Sequence, residues 1–159
     1  MSEFSHLDES GAARMVDVSE KPAAARTAVA SGTLHTTAEV VALLAEGGLP
    51  KGDALATARI AGIMGAKRTP DLVPLCHPIA LSGVDVEFEL GHSEVHVTAT
   101  ARTTERTGVE MEALTAVSVA GLALHDMVKA VDAAASMDGV RLDRKEGGKA
   151  GVWTRPEGR

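Results

Sequence analysis

The longest hydrophobic pattern in the chain covers residues 107–131, where apolar side chains recur at every third or fourth position. That spacing places them on one face of an α-helix, so the pattern predicts a helix of about seven turns with one buried face. Glu110 and Glu112 fall in its first turns, and Asp126 and Lys129 fall in its last turns. These charges also suit the helix dipole, so their positions alone do not establish chemistry.

Two shorter patterns lie near the start of the chain. Residues 26–34 alternate between apolar and polar types, which predicts a strand with a bulge at residues 31–32. Residues 38–48 carry apolar positions at helical spacing, with one of the two threonines at 36–37 as the N-cap and the glycines at 47–48 as the end. The chain therefore passes directly from a strand into a helix.

A further helix is predicted over residues 54–69. Asp53 caps its start, and it ends before Pro70 because the residue that precedes a proline avoids helical geometry. One face of this helix carries only small side chains, which lets another helix approach closely. If that other helix belongs to a second subunit, Gly62→Leu should lower the assembly state. The small residues are Ala58, Ala61, Gly62, Gly65 and Ala66.

After an irregular segment at residues 71–83, strict alternation predicts two strands at residues 84–90 and 94–103, joined by a turn at 91–93. A short strand at residues 140–142 follows the long helix. The order of elements is strand, helix pair, strand, strand, helix, strand. This order predicts an α+β fold, namely a ferredoxin-like split β-α-β sandwich with an antiparallel sheet and helices on one face.

Length and composition favour one folded domain. The chain has 159 residues, of which 45% are hydrophobic, which is enough to bury a core without disulfides or a structural metal. We predict an extended N-terminal arm at residues 1–24, a single α+β domain at residues 25–151 and a polar C-terminal tail at residues 152–159.

The charge and aromatic content limit the partners. A formal net charge of −6 opposes broad binding to nucleic acid or to an anionic membrane, because both need a basic surface. With two Phe, one Trp and no Tyr, the chain also has few side chains on which bases could stack. We expect neither partner, and any bound anion must be held by lysines and arginines gathered locally.

The compartment is predicted from Cys76 and from the N-terminus. A single cysteine excludes an internal disulfide and fits a reducing compartment. The first ten residues lack the basic and apolar regions of a signal peptide, and we expect no apolar run of membrane-spanning length. The sequence therefore predicts a cytoplasmic protein.

Cys76 and His77 form an adjacent pair flanked by Pro74 and Pro78. Adjacent side chains in an extended segment point to opposite sides and do not readily chelate one ion, and no second cysteine exists to complete a zinc set. We therefore predict no metal site here. The stiff segment suits an imidazole that contacts a ligand or transfers a proton, and a satisfied, half-buried histidine fits equally well.

Two loops combine glycine with lysine. GGLPKGD at residues 47–53 has the glycine spacing of a P-loop but continues with an aspartate, which disfavours a nucleotide hydrolase. KEGGKAG at residues 145–151 places Lys145 and Lys149 around glycines whose amides could face an anion, and a solvated turn is the alternative.

Asp126 and Lys129 lie three residues apart on the long helix. The simpler interpretation is a surface ion pair worth about 0.3 kcal/mol. The other interpretation is a lysine that a carboxylate positions for proton transfer. The sequence alone leaves both open.

Four runs of the sequence, taken together, resemble the cyclic pyranopterin monophosphate synthase family of molybdenum cofactor biosynthesis. The resemblance covers nearly all of residues 15–151 and departs from the family at Glu146 and Ala150, where serines are usual. The runs are MVDVSEKPAAAR, KGDALATARIAGIMGAKRTPDLVPLCHP, TGVEMEALTAVSVAGLALHDMVKAVD and KEGGKAG.

The resemblance implies a lyase that rearranges cyclised dihydro-GTP to cyclic pyranopterin monophosphate and releases pyrophosphate. It implies Lys51, Lys129 and Asp126 as catalytic residues. It implies that the substrate contacts Leu75, Cys76, His77, Glu110, Met111 and Glu112. It implies that Arg26, Lys145 and Lys149 handle the phosphates.

The resemblance also implies a homohexamer built as a trimer of dimers, with each active site completed by two chains. We expect Lys51 and Asp126 of one such site to come from different chains. The alternative is a folded-back loop that carries His77 and completes a site within one chain. No redox cofactor is expected, and Mg²⁺ could accompany the triphosphate without a dedicated protein site. The alternative function is a non-catalytic oligomeric module that binds nucleotides as a sensor.

Overall fold

The computed structural model describes residues 5–159, so residues 1–4 of the predicted arm lie outside the described residues. A five-stranded antiparallel sheet carries helices on one face. The strands are β1 (Arg26–His35), β2 (Leu81–Leu90), β3 (Glu94–Thr103), β4 (Ser136–Glu146) and β5 (Trp153–Thr154). The helices are α1 (Ala38–Glu46), α2 (Ala54–Lys67), α3 (Thr69–Leu72) and α4 (Glu110–Val128).

The strands lie in the order β2-β3-β1-β4-β5, and every pair is antiparallel. The chain leaves β1, passes through three helices and returns as β2, with β3 lying between these two strands. That arrangement is a split β-α-β unit, and β3, α4 and β4 complete the ferredoxin-like order. The predicted α+β, ferredoxin-like fold is confirmed.

The core lies between the sheet and its two long helices. Alternate residues of β1 face α4, and Ala28, Ala30 and Leu34 are buried there. Val117 and Leu124 of α4 are fully buried from the other side. Since these are small or medium-sized aliphatic side chains, the helix packs closely on the sheet, which fits a chain with few aromatic residues.

By length and composition alone, α4 is apolar enough to cross a membrane, contrary to the expectation of no apolar run of that length. More than half of that span is buried inside the fold. A core helix passes the same test when it packs against a sheet on one side and against a helix on another.

The small-residue face of α2 packs against α4 of the same chain. A Cβ atom at Gly62 would lie 2.9 Å from the carbonyl oxygen of Ala116, and one at Gly65 would overlap Val119. The prediction of a close helix contact is confirmed. The interpretation of this face as a contact with a second subunit is wrong, because its partner helix is intramolecular.

Several predicted boundaries differ from the structure. The helix predicted to end before Pro70 ends at Lys67, and α3 then begins with Pro70 in its first turn, where the missing N–H costs no hydrogen bond. The strand predicted at residues 84–90 begins earlier, at Leu81, and the predicted tail contains β5. The caps at Thr37 and Asp53 and the hairpin between β2 and β3 are confirmed.

The strand predicted at residues 140–142 is part of the much longer β4. Two register shifts against β1, between Val29 and Ala30 and between Ser31 and Thr33, each place an extra residue on β4. The second shift lies opposite residues 31–32, but its extra residue belongs to β4, and β1 pairs with β3 without interruption. The bulge predicted on β1 is therefore wrong, because the bulge lies on the neighbouring strand. Because paired antiparallel residues share a face, Lys145 lies on the α4 side of the sheet, opposite Ala28.

Candidate functional site

Three predicted catalytic residues form one cluster at the C-terminal end of α4, called here the lysine–aspartate cluster. Lys51, on the loop between α1 and α2, donates from Nζ to Asp126 Oδ2 at 2.9 Å. Lys129, one helical turn beyond Asp126, places its Nζ 2.9 Å from Oδ1. Each carboxylate oxygen therefore holds one ammonium group.

The two lysines set the protonation state of Asp126. Hydrogen bonds from Lys129 and then from Lys51 lower the pKa of this carboxyl group to about 2, and their positive charges act in the same direction. Asp126 therefore stays ionised across the physiological range. Since the cluster is exposed, it adds little to folding stability and leaves its cations accessible.

A cavity of about 290 Å³, called the small cavity, lies at the opposite end of α4. The segment before β2 and the first turn of α4 form two of its walls, and the N-terminal arm forms a third. The predicted contact residues in its lining are Leu75, Cys76, His77, Glu110, Met111 and Glu112. The arm contributes Val16, Val18 and Lys21.

Glu112 is the buried acid of the small cavity, with 4% of its surface exposed. Burial disfavours the carboxylate and raises the pKa of Glu112 from 4.5 to about 7, and the charge of Glu110 adds to the shift. Burial likewise raises the pKa of the Cys76 thiol, with further contributions from Glu112 and Glu110. Glu112 can therefore exchange a proton near neutral pH, whereas Cys76 remains a protonated thiol.

His77 is held by the arm. Its Nε2 lies 2.6 Å from the carbonyl oxygen of Val16, so Nε2 carries a proton and donates it to that oxygen. Further contacts fasten the arm, since Arg106 donates to the carbonyl of Ser19 and the Ala24 N–H donates to that of Glu105. The histidine is thus both a satisfied, half-buried side chain and part of the cavity wall.

A cavity of about 960 Å³, called the large cavity, adjoins the small cavity, and its lining holds four cationic side chains beside the acids Glu20, Glu110 and Glu146. Arg26, Lys145 and Lys149 line it, as predicted, and Lys21 of the arm lines both cavities. The Arg26 Nε donates to the carbonyl of Glu105 at 3.1 Å, which fixes its guanidinium group.

The glycine loop after β4 closes on Arg26. At Gly148 a Cβ atom would occupy the space of the Arg26 guanidinium group, and the φ of +72° is one that other residues rarely adopt. The loop can therefore approach the arginine only because this position is glycine. The loop lines the large cavity, but residues 148–151 are also exposed and form a turn, so both interpretations of this loop stay open.

Every residue predicted to contact the substrate lines one of these two cavities. The lysine–aspartate cluster lines neither. Glu112 and Asp126 are separated along α4 by roughly 21 Å, at about 1.5 Å per residue. The expectation that Lys51 and Asp126 come from different chains is wrong, because they are in contact within one chain.

The arm supplies site residues that the sequence did not predict. His6 and Lys21 line both cavities, and neither was selected from the sequence. The arm has no hydrophobic periodicity that would predict its path. The one sequence feature that could have indicated a site residue in the arm is the cationic Lys21 next to Pro22. Within residues 5–159, no group of three or more His, Cys, Asp or Glu side chains is arranged to hold a metal ion.

Fold and site define a ferredoxin-like α+β protein with a cation-lined cavity beside a smaller cavity that contains a buried acid. Residues 15–148 match the MoaC family, and the chain belongs to that family.

Named relatives cover nearly the whole chain. A protein of Mycobacterium bovis named cyclic pyranopterin monophosphate synthase 2 is 65% identical over 96% of this chain and 92% of its own length. Proteins named cyclic pyranopterin monophosphate synthase from Streptomyces coelicolor and Roseiflexus castenholzii are 64% and 56% identical, over 96% and 95% of this chain and 89% and 97% of their own. The family resemblance seen in the sequence motifs is confirmed.

Proposed function

We propose that this protein is a lyase that converts cyclised dihydro-GTP to cyclic pyranopterin monophosphate and releases pyrophosphate in molybdenum cofactor biosynthesis. The observation that carries the proposal is the adjacency of a cation-lined cavity and a small cavity with a proton-exchanging acid. One accommodates a triphosphate and the other a rearranging ring. The names of the relatives support the same reaction.

The large cavity supplies the cations that phosphate chemistry needs. Forming a cyclic phosphate expels pyrophosphate, and negative charge develops on the departing group. Arg26 offers a planar fork of N–H donors, while Lys145 and Lys149 offer point charges. Such preorganised cations stabilise charge that develops in the transition state. The proposal includes no cofactor held by the protein, and any Mg²⁺ would accompany the triphosphate.

The small cavity supplies proton transfer. Opening a purine-derived ring and closing a pterin requires protons to be moved to and from carbon and nitrogen. Glu112, with a pKa of about 7, is suited to take up and return a proton near neutral pH. His77 lines the same cavity and offers a second side chain of the type that transfers protons.

The lysine–aspartate cluster supplies the remaining cations, and we propose that it acts on the small cavity of a second copy. If α4 packs antiparallel to its counterpart across a twofold axis, the Asp126 end of one subunit approaches the Glu112 end of the other. Lys51 and Lys129 would then exchange protons with a ring bound by the partner. Three such dimers form the proposed hexamer, and the cytoplasm is its proposed location.

Turnover tests the proposal. Purified protein is incubated with cyclised dihydro-GTP, and pyrophosphate and cyclic pyranopterin monophosphate are measured separately. Equal amounts of both products support the lyase. Tight binding of the substrate with no product contradicts it and supports the nucleotide-binding sensor instead.

A further inference from the structure

The carboxylate of Glu110 lies between the two cavities. It lines the large cavity, where its Oε1 lies 3.3 Å from Lys145 Nζ, and it also lines the small cavity that contains Glu112. Gly108 makes this position available, because a Cβ atom there would overlap the Glu110 carboxylate. The acid is therefore folded back over the backbone of residue 108, with 29% of its side chain exposed.

The charge of Glu110 acts on groups in both the small cavity and the large cavity. Its charge contributes to the raised pKa values of Glu112 and Cys76 in the small cavity. On the other side, its ion pair with Lys145 offsets part of that negative charge. A phosphate group that engages Lys145 competes for the same compact ammonium group and adds negative charge of its own. The potential at Glu112 then becomes more negative.

We propose that Glu110 is a positioning residue that couples the two cavities: a phosphate group that engages Lys145 displaces the Glu110 carboxylate and favours proton uptake by Glu112. This inference rests on the proposed function and deepens it. Departure of pyrophosphate returns Lys145 to Glu110, and Glu112 then releases its proton. Proton transfer in the small cavity and loss of pyrophosphate from the large cavity are thereby linked.

Other titratable groups surround Glu112, so proton uptake by Glu112 must be distinguished from proton uptake by these neighbours. Within residues 5–159, the acid within ion-pair distance of Lys145 is Glu110. The groups that line the small cavity with Glu112 are His6 and Lys21 from the arm, Cys76 and His77 from the segment before β2, and Glu110 from α4.

Calorimetric titration with inorganic pyrophosphate measures the coupling. At about pH 7.5, in two buffers of different ionisation enthalpy, wild-type protein should take up about half a proton more per bound anion than Glu112→Gln, as expected when a pKa near 7 rises by about one unit. Glu110→Gln should lose most of this difference. It should also bind pyrophosphate about fivefold more tightly, because Lys145 no longer has a competing partner.

Two further variants complete the test, one as a matched control and one as a second way to move the Glu110 carboxylate. Glu46→Gln makes the same chemical change at the exposed end of α1 and should match wild type in affinity and proton uptake. Gly108→Ala displaces the Glu110 carboxylate without removing its charge and should also reduce proton uptake, which covers the case in which Glu110→Gln folds poorly.

The outcomes distinguish the inference from the proposed function. Equal proton uptake by wild type and Glu110→Gln, or by wild type and Glu112→Gln, overturns the coupling even if the enzyme turns over. Coupled proton uptake in a protein without turnover supports the coupling and overturns the lyase. Failure of wild-type protein to bind pyrophosphate overturns the phosphate assignment on which both depend.

Discussion

Lys51 and Asp126, 75 residues apart in sequence, are joined by a 2.9 Å hydrogen bond within a single chain. This contact assigns both residues to the lysine–aspartate cluster of one subunit. A site shared by two chains must therefore combine that cluster with the small cavity of the other chain. The residue pairs that can complement one another follow directly from this division.

Mixed assemblies test the shared site. An inactive Lys51→Ala protein and an inactive Glu112→Gln protein are dissociated, mixed and reassembled, and pyrophosphate release is measured. If each site uses the lysine–aspartate cluster of one chain and the small cavity of the other, a mixed dimer contains one intact site and activity returns to about half of wild type per mixed dimer.

The matched control is a mixture of Lys51→Ala with Asp126→Asn. Both changes affect the same cluster, so every site in a mixed dimer contains one damaged cluster and activity stays absent. Recovery in this control, or no recovery in the first mixture once mass measurement has verified mixed assemblies, contradicts the shared site.

Lys51→Ala and Lys129→Ala should each lower turnover by about a hundredfold or more, as expected for loss of a proton-transferring group. The free energy of unfolding should change by no more than about 0.5 kcal/mol, because both side chains are exposed. Lys67→Ala, at the exposed end of α2, is the control. Loss of cooperative melting in either cluster variant would show that its lysine is structural.

Glu112 should make stability fall as pH rises. Its pKa is about 7 in the folded protein against 4.5 ordinarily, so between these values the folded state binds more protons than the unfolded state. Raising the pH through this window therefore lowers the free energy of unfolding, by up to about 3 kcal/mol. Denaturant unfolding at about pH 5 and about pH 8 should show this loss in wild type and a smaller loss in Glu112→Gln. Equal losses would exclude a protonated Glu112 in the folded state.

Cys76→Ser should retain at least about a tenth of wild-type turnover, because burial keeps the thiol protonated and no covalent step is assigned to it. Steady-state assays of both proteins decide the point. An inactive variant that still binds substrate normally would require a nucleophilic role for Cys76.

Gly62→Leu should destabilise the fold by about 1–3 kcal/mol or more, since the new side chain collides with the backbone of α4. Lys67→Leu introduces the same side chain on the exposed surface of α2 and should be tolerated. Thermal melting and solution mass separate the two effects. Normal stability with a smaller assembly would restore the subunit-contact interpretation.

Regular alternation made some strands predictable to the residue. The strand predicted at residues 94–103 agrees with β3 because its buried and outward positions alternate without interruption. The strand β4 was predicted only at residues 140–142, because its two extra residues break the alternation on which the prediction relies. The division of the chain into arm, domain and tail stays a prediction.

The site was predictable where it depends on local sequence and not where it depends on long-range contacts. The spacing of Glu112 and Asp126 along one helix already predicted that the two side chains lie far apart. The contacts of Lys51 with Asp126 and of His77 with Val16 join residues 75 and 61 positions apart, through segments without periodicity. Local sequence patterns do not predict such contacts, because these contacts arise from the packing of whole helices, strands and loops.

The register shift between Val29 and Ala30 also decides which kind of cation serves the large cavity. With the shift, Lys145 pairs with Ala28 and lies on the side of α4. A strand of the same length without it would bring Arg144 to that position and turn Lys145 to the opposite surface. The backbone alone would then exchange a compact ammonium group for a forked guanidinium group, with no change in the amino-acid sequence.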